Sequence, residues 1–91
     1  MASTITERLD IIRETGVIAI LRARDAEGLL KAAGALLEGG VRVVEVTMTT
    51  AGALEVIGAV RQHYGDRLLF GAGSVLDAET ARAAILAGAQ F

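Results

Sequence analysis

Four apolar runs begin at Val17, Val41, Leu68 and Ala89, about 20 to 27 residues apart, and a helix-forming stretch lies between each run and the next. A chain that alternates strand and helix at this spacing joins neighbouring strands in parallel through right-handed crossovers. The punctuation agrees. Thr4 and Glu7 form a capping box for a first helix, where Ile5, Leu9 and Ile12 recur at helical spacing up to Gly16. Asp25 caps a second helix over 26 to 38, whose Leu29, Leu30, Ala33, Leu36 and Leu37 make a broad apolar face closed by Gly39-Gly40. Thr50 is the expected cap of a third helix, with Leu54, Ile57, Val60 and Tyr64 turned to the sheet and Gly65 as its stop. Asp77 and Gly88 bracket a fourth helix, and Ala89-Gln90-Phe91 begins a fourth strand.

The stretch Gly39 to Thr50 carries the chemistry. Its Val41 to Met48 centre is β-branched and apolar enough to be a buried strand, yet Glu45 stands in the middle of it. A carboxylate there must be solvated, paired or used, because burying an unpaired charge costs several kcal/mol or more. Strand side chains alternate, so Val41, Val43, Glu45 and Thr47 share one face and Val44, Val46 and Met48 the other. The wholly apolar set belongs against the helices, and Glu45 and Thr47 face the opposite way. A mid-strand acid suits the interior of a (β/α) barrel better than a flavodoxin-like open sheet, although both fit the alternation. The fold expected is α/β: residues 1–91 as a single partial domain, the N-terminal part of a TIM (β/α)8 barrel with an added N-terminal helix.

Arg22 and Ser74 end the strands on either side of Glu45, so Arg22, Glu45, Thr47 and Ser74 are expected on one rim. An acid beside an arginine and two hydroxyls suits proton transfer on a small anionic substrate. The bland alternative is a structural Glu45 paired with Arg22 or Arg42. Gly71-Ala72-Gly73 lacks the third glycine of a dinucleotide loop, and a phosphate site at the helix starts after Thr50 and Asp77 is the weakest reading. His63 reads as a solvated residue at a helix end, and Lys31, the only lysine, as a surface residue of the second helix.

Composition removes other classes. Net charge is −2 with the signs interspersed, which leaves no nucleic-acid or membrane-surface footprint. There is no cysteine and one histidine, so thiolate chemistry and a histidine metal cluster are excluded and no cofactor or metal is expected. No signal peptide or spanning segment is visible, and a soluble, cytoplasmic protein is expected.

Val17-Ile-Ala-Ile-Leu-Arg22-Ala23, Glu38-Gly-Gly-Val-Arg-Val-Val-Glu45-Val-Thr47, Gly71-Ala-Gly-Ser-Val75 and Ala87-Gly-Ala-Gln-Phe91 resemble, in order, strand motifs of the 2-keto-3-deoxy-6-phosphogluconate (KDPG) aldolases and their 4-hydroxy-2-oxoglutarate (KHG) relatives. The resemblance implies a class I aldolase on a TIM barrel, typically a homotrimer. In such an enzyme a lysine forms a Schiff base with a 2-keto acid and a glutamate shuttles protons as the sugar acid is cleaved to pyruvate and an aldehyde. Glu45 matches that glutamate, Arg22 matches a substrate-holding arginine, and Ser74 keeps a hydroxyl where threonine is usual. Thr49 departs from the arginine that many members carry. The family's Schiff-base lysine belongs to the sixth strand, past Phe91, and Lys31 does not match it. The residues as given are therefore expected to be inactive alone, and the alternative is a catalytically silent, self-assembling half-barrel.

Overall fold

The computed structural model describes residues 3–22 and 25–91; Ala23, which closes the first strand motif, lies outside them. Helices and strands alternate as α1 (Ile5–Thr15), β1 (Ala19–Leu21), α2 (Ala26–Glu38), β2 (Val43–Thr47), α3 (Ala53–Tyr64), β3 (Leu69–Gly73) and α4 (Ala78–Ala87), with a 3-10 turn at Gly65–Arg67. The three strands form one parallel sheet in the order β1-β2-β3. Gln90 and Phe91 extend its ladder: Gln90 N–H donates to Phe70 C=O at 2.8 Å, and Ala72 N–H donates to Phe91 C=O at 3.0 Å. No helix among the described residues is long and apolar enough to cross a membrane.

The pleat of β2 divides the molecule as its alternation requires. Val44 and Val46 point to the helices and join Phe70, Leu68, Leu29, Ala33, Ile57 and Val60 in the core. On the other face Val43 and Leu69 are buried at the N-terminal ends of the strands, where α1 packs against β2. Arg8 of α1 fastens that end by donating to the Gln90 carbonyl at 3.0 Å. Further along the same face Ile20 is 57% exposed, because nothing among the described residues covers it.

The caps follow the sequence at most ends. Thr4 and Glu7 make the reciprocal capping box, and Asp25 and Asp77 accept from Gly28 and Thr80 N–H, each at 2.6 Å. The end of α2 is a Schellman arrangement: Val41 N–H reaches Leu36 C=O at 2.9 Å across Gly40, whose φ of 95° favours glycine.

The expectations fail at α3. Its N-cap is Gly52, at φ 71°, and not Thr50, whose hydroxyl lies 3.3 Å from that of Thr47. Two successive turns, Thr50 N–H to Thr47 C=O and Ala53 N–H to Thr50 C=O, use up the residues between strand and helix. The helix therefore starts at Ala53, and Ala53, Val56, Ile57 and Val60 become its buried set. Leu54 falls beside that stripe and is 39% exposed. Strand β1 is also shorter than its apolar run, since Val17 and Ile18 lie outside the ladder and are exposed.

Helices α2 and α3 meet at Tyr64, whose hydroxyl donates to Leu30 C=O at 2.6 Å. A Cβ on Gly34 would stand 2.5 Å from that hydroxyl but 3.5 Å from the ring carbon bearing it. Gly34→Ala gains about 1 kcal/mol of helix propensity, yet it must expel Tyr64 and break this bond. We expect Gly34→Ala to lower the unfolding free energy in the wild-type background and to be neutral or stabilising beside Tyr64→Phe. Denaturant unfolding of the four proteins of this cycle measures that reversal, and simple additivity would refute it.

The Thr80 N–H bond to Asp77 holds the Asp77 carboxyl below its usual value of 3.8. A folded-state value depressed in this way contributes stability that is full above the unfolded value and is lost as pH falls through the folded one. The Asp77 carboxyl carbon should titrate in NMR with a midpoint below 3.8, with the Thr80 amide following it. A midpoint at or above that value would show the cap bond absent in solution.

Candidate functional site

Every candidate polar group stands at or beyond the middle of a strand, toward its C-terminal end. In the ladder Glu45 lies between Ile20 and Gly71, and Thr47 lies opposite Gly73. Arg22 follows the last residue of β1, and Ser74 follows the last residue of β3. Both of those are exposed, whereas Glu45 is half-buried and Thr47 is 3% exposed.

Glu45 and Thr47 share a face but differ in their surroundings. The Thr47 hydroxyl is engaged with the hydroxyls of Thr49, at 3.0 Å, and Thr50, at 3.3 Å. The three form a small cluster that fixes the turn out of β2. Glu45 makes neither a hydrogen bond nor an ion pair with any described residue. The ion pairs found among the described residues are Arg13 with Asp10 and Lys31 with Glu27, both on the outside of helices. Pairing of Glu45 with Arg22 or Arg42, the structural alternative, does not form. Its carboxylate instead leans toward the C-terminal ends of the strands and lies over Gly73, where a Cβ would collide with it. The place directly across the ladder is taken by Phe91, whose ring stands 2.7 Å from where a Cβ on Gly71 would be.

Ser74 opens onto a different recess. It has a left-handed backbone, φ 57°, a conformation uncommon for a residue with a Cβ. It lines an open groove of about 500 Å³ between the turn after β2 and the start of α4, together with Met48, Thr49, Leu54 and Leu76. Glu45 does not line that groove. The structure thus puts Glu45 and Thr47 on one face, Arg22 at its margin, and Ser74 on an adjoining recess.

Lys31 is a surface residue: its side chain is 78% exposed, and its Nζ lies 3.5 Å from Glu27. His63 is exposed and meets the Tyr64 ring edge-on. No group of three or more His, Cys, Asp or Glu side chains gathers among the described residues. The parts that sequence reasoning missed are the two glycine seats, at Gly71 and Gly73. Half of the signal was present, since glycines two apart on a strand lie on one face; that it is the face of Glu45 follows only from the register of β2 with β3. The Gln90 side chain gave no such signal. It accepts from Phe70 N–H and from Arg61, both at 3.1 Å, and so ties the end of α3 to the sheet.

The comparisons with known proteins agree with this architecture. Residues 9–91 match the family model described as KDPG and KHG aldolase. The chain is 48% identical over 88 residues to the 2-dehydro-3-deoxy-phosphogluconate aldolase of Treponema pallidum, covering 97% of this chain and 40% of that protein. Among solved structures, the 2-keto-3-deoxy-6-phosphogluconate aldolase of Zymomonas mobilis, determined with 3-phosphoglycerate, superposes with a TM-score of 0.83 at 32% identity, covering 97% of this chain and 41% of that one. A cube-shaped protein cage designed by fusing symmetric oligomeric domains superposes with a TM-score of 0.75 at 36% identity, over 80% of this chain and 27% of that one. The chain spans about 40% of the length of the curated relatives it matches. Its parallel α/β architecture is that of the N-terminal portion of these TIM-barrel aldolases. With its strands, its helices and residues 9–91 all in agreement, the chain belongs to the KDPG and KHG aldolase family.

Proposed function

We propose that this chain supplies the acid–base portion of a class I aldolase that cleaves a 2-keto-3-deoxy sugar acid, of the phosphogluconate or 4-hydroxy-2-oxoglutarate type, to pyruvate and an aldehyde. One observation carries the reading. Glu45 stands on the inner face of the central strand, half-buried and without an ion-pair partner among the described residues, leaning toward the C-terminal ends where barrel chemistry occurs. A carboxylate so held can take a proton from a bound substrate and return it.

The nucleophile must come from elsewhere. An imine requires a deprotonated amine beside the substrate carbonyl, and Lys31 is exposed and ion-paired on the outer surface of α2. In this reading a lysine of a later strand forms the Schiff base. Arg22 and Ser74, both exposed at strand ends, hold the anionic groups of the substrate. The Thr47 hydroxyl, already engaged with Thr49 and Thr50, has one hydrogen-bonding position left with which to join them.

Reductive trapping tests this directly. The 91-residue chain, and the same chain continued with the remaining barrel of a relative, are incubated with pyruvate and cyanoborohydride and mapped by mass spectrometry. We expect a single pyruvyl adduct, on a lysine beyond Phe91, in the continued protein only. A saturable adduct on Lys31 would overturn the assignment. In the continued protein Glu45→Gln should lower turnover by about 100-fold or more, and wild-type turnover would make Glu45 structural.

A second reading, self-association of the chain, is favoured by its uncovered apolar side chains. Leu76 is 91%, Leu86 71% and Ile85 67% exposed, in addition to Ile20 on the open sheet face. Sedimentation of the 91-residue chain should then give dimers or larger species, and a monomer throughout the micromolar range would exclude them.

A further inference from the structure

A glycine inside a strand weakens it, and usually marks a turn of the backbone or a close approach by another group. Gly73 is not needed for its backbone. It is absent from the positive-φ glycines, pairs in regular register with Thr47, and accepts from Met48 N–H at 2.8 Å. What an added Cβ would meet is the Glu45 carboxylate. The three heavy atoms nearest to it are Glu45 Oε1, Cδ at 3.0 Å and Oε2 at 3.6 Å, the first of them too close to coexist. The neighbouring seat is shut, since Phe91 fills the space above Gly71, directly across from Glu45. A side chain rising from β2 between these strands therefore has one low place to lie, on the diagonal over Gly73.

We infer that Gly73 is a positioning residue for Glu45: by presenting no side chain on the inner face, it opens the slot that aims the carboxylate along the strands toward the substrate end. This rests on the reading of Glu45 as the proton shuttle. A methyl group at 73 would leave the strand intact and lift the carboxylate by about an ångström, a displacement that can cost on the order of 100-fold in rate.

The test uses the chain continued through the rest of the barrel. Gly73→Ala should lower kcat by about 100-fold with KM little changed, and its loss should not add to that of Glu45→Gln in the double variant. Glu45→Asp, one methylene shorter, should restore part of the turnover when combined with Gly73→Ala. Full additivity of Gly73→Ala and Glu45→Gln, or wild-type turnover in Gly73→Ala while Glu45→Gln is impaired, overturns the role of Gly73 and leaves that of Glu45 standing. Wild-type turnover in Glu45→Gln overturns the proton-shuttle reading instead, and the seat is then judged by crystallography of Gly73→Ala: a displaced carboxylate upholds it and an unmoved one removes it. Should Gly73→Ala not fold, Glu45→Ala in the same chain should recover folding, and continued misfolding would show that Glu45 is not the obstacle.

Discussion

The pleat of β2 is the constraint on which the other features depend. It is the central strand, hydrogen-bonded in parallel on both sides, so it cannot slip by one residue without turning its whole apolar set away from the helices. Burial of Val44 and Val46 under α2 and α3 therefore also decides where Glu45 and Thr47 point. Core packing and site geometry are two faces of one register. The carboxylate is carried on a strand hydrogen-bonded on both sides, and its direction is set by backbone pairing rather than by a mobile loop.

The inner face is graded along the strands. At its N-terminal end α1 covers Val43 and Leu69, with Arg8 bonded to the Gln90 carbonyl. Further along come Phe91 over Gly71, then the carboxylate over Gly73, and then the threonine cluster with Arg22 and Ser74 at the margin. Apolar closure gives way to polar groups within a few residues. This division, closed at the N-terminal ends of the strands and polar at the C-terminal ends, is the one barrels generally use to keep stability and chemistry apart.

Much of this was legible in the residues. The alternation of runs gave the parallel α/β fold, the capping residues Thr4, Asp25 and Asp77 gave three helix starts, and the period of two gave the side on which Glu45 lies. The α3 start was not legible. Thr50 has a capping side chain, but a competing hydroxyl at Thr47 lies within reach only once the turn has formed. Leu54 is a different case: at about 100° per residue it lies about 90° from the direction shared by Ile57, Val60 and Tyr64, so helical period alone puts it on the flank and Ala53 on the stripe. The seats at Gly71 and Gly73 needed a neighbouring strand in register, which period alone does not supply. Ser74 was placed correctly at its strand end, but its positive φ and its turn toward another recess are properties of the loop that no spacing encodes.

Strand order in the sheet equals order in the chain, and Gln90 and Phe91 continue the series on the outer side of β3. Each strand thus docks on the one made just before it, after a single intervening helix. None of the pairings among the described strands has to wait for a distant segment, which keeps the loop-closure entropy of each of these steps small. A ribosome releasing this chain from its N-terminus would expose, at each moment, one sheet edge awaiting the next segment. The sheet can grow as it is synthesised, with one edge at risk of mispairing fixed at β1 and the other travelling with the nascent end.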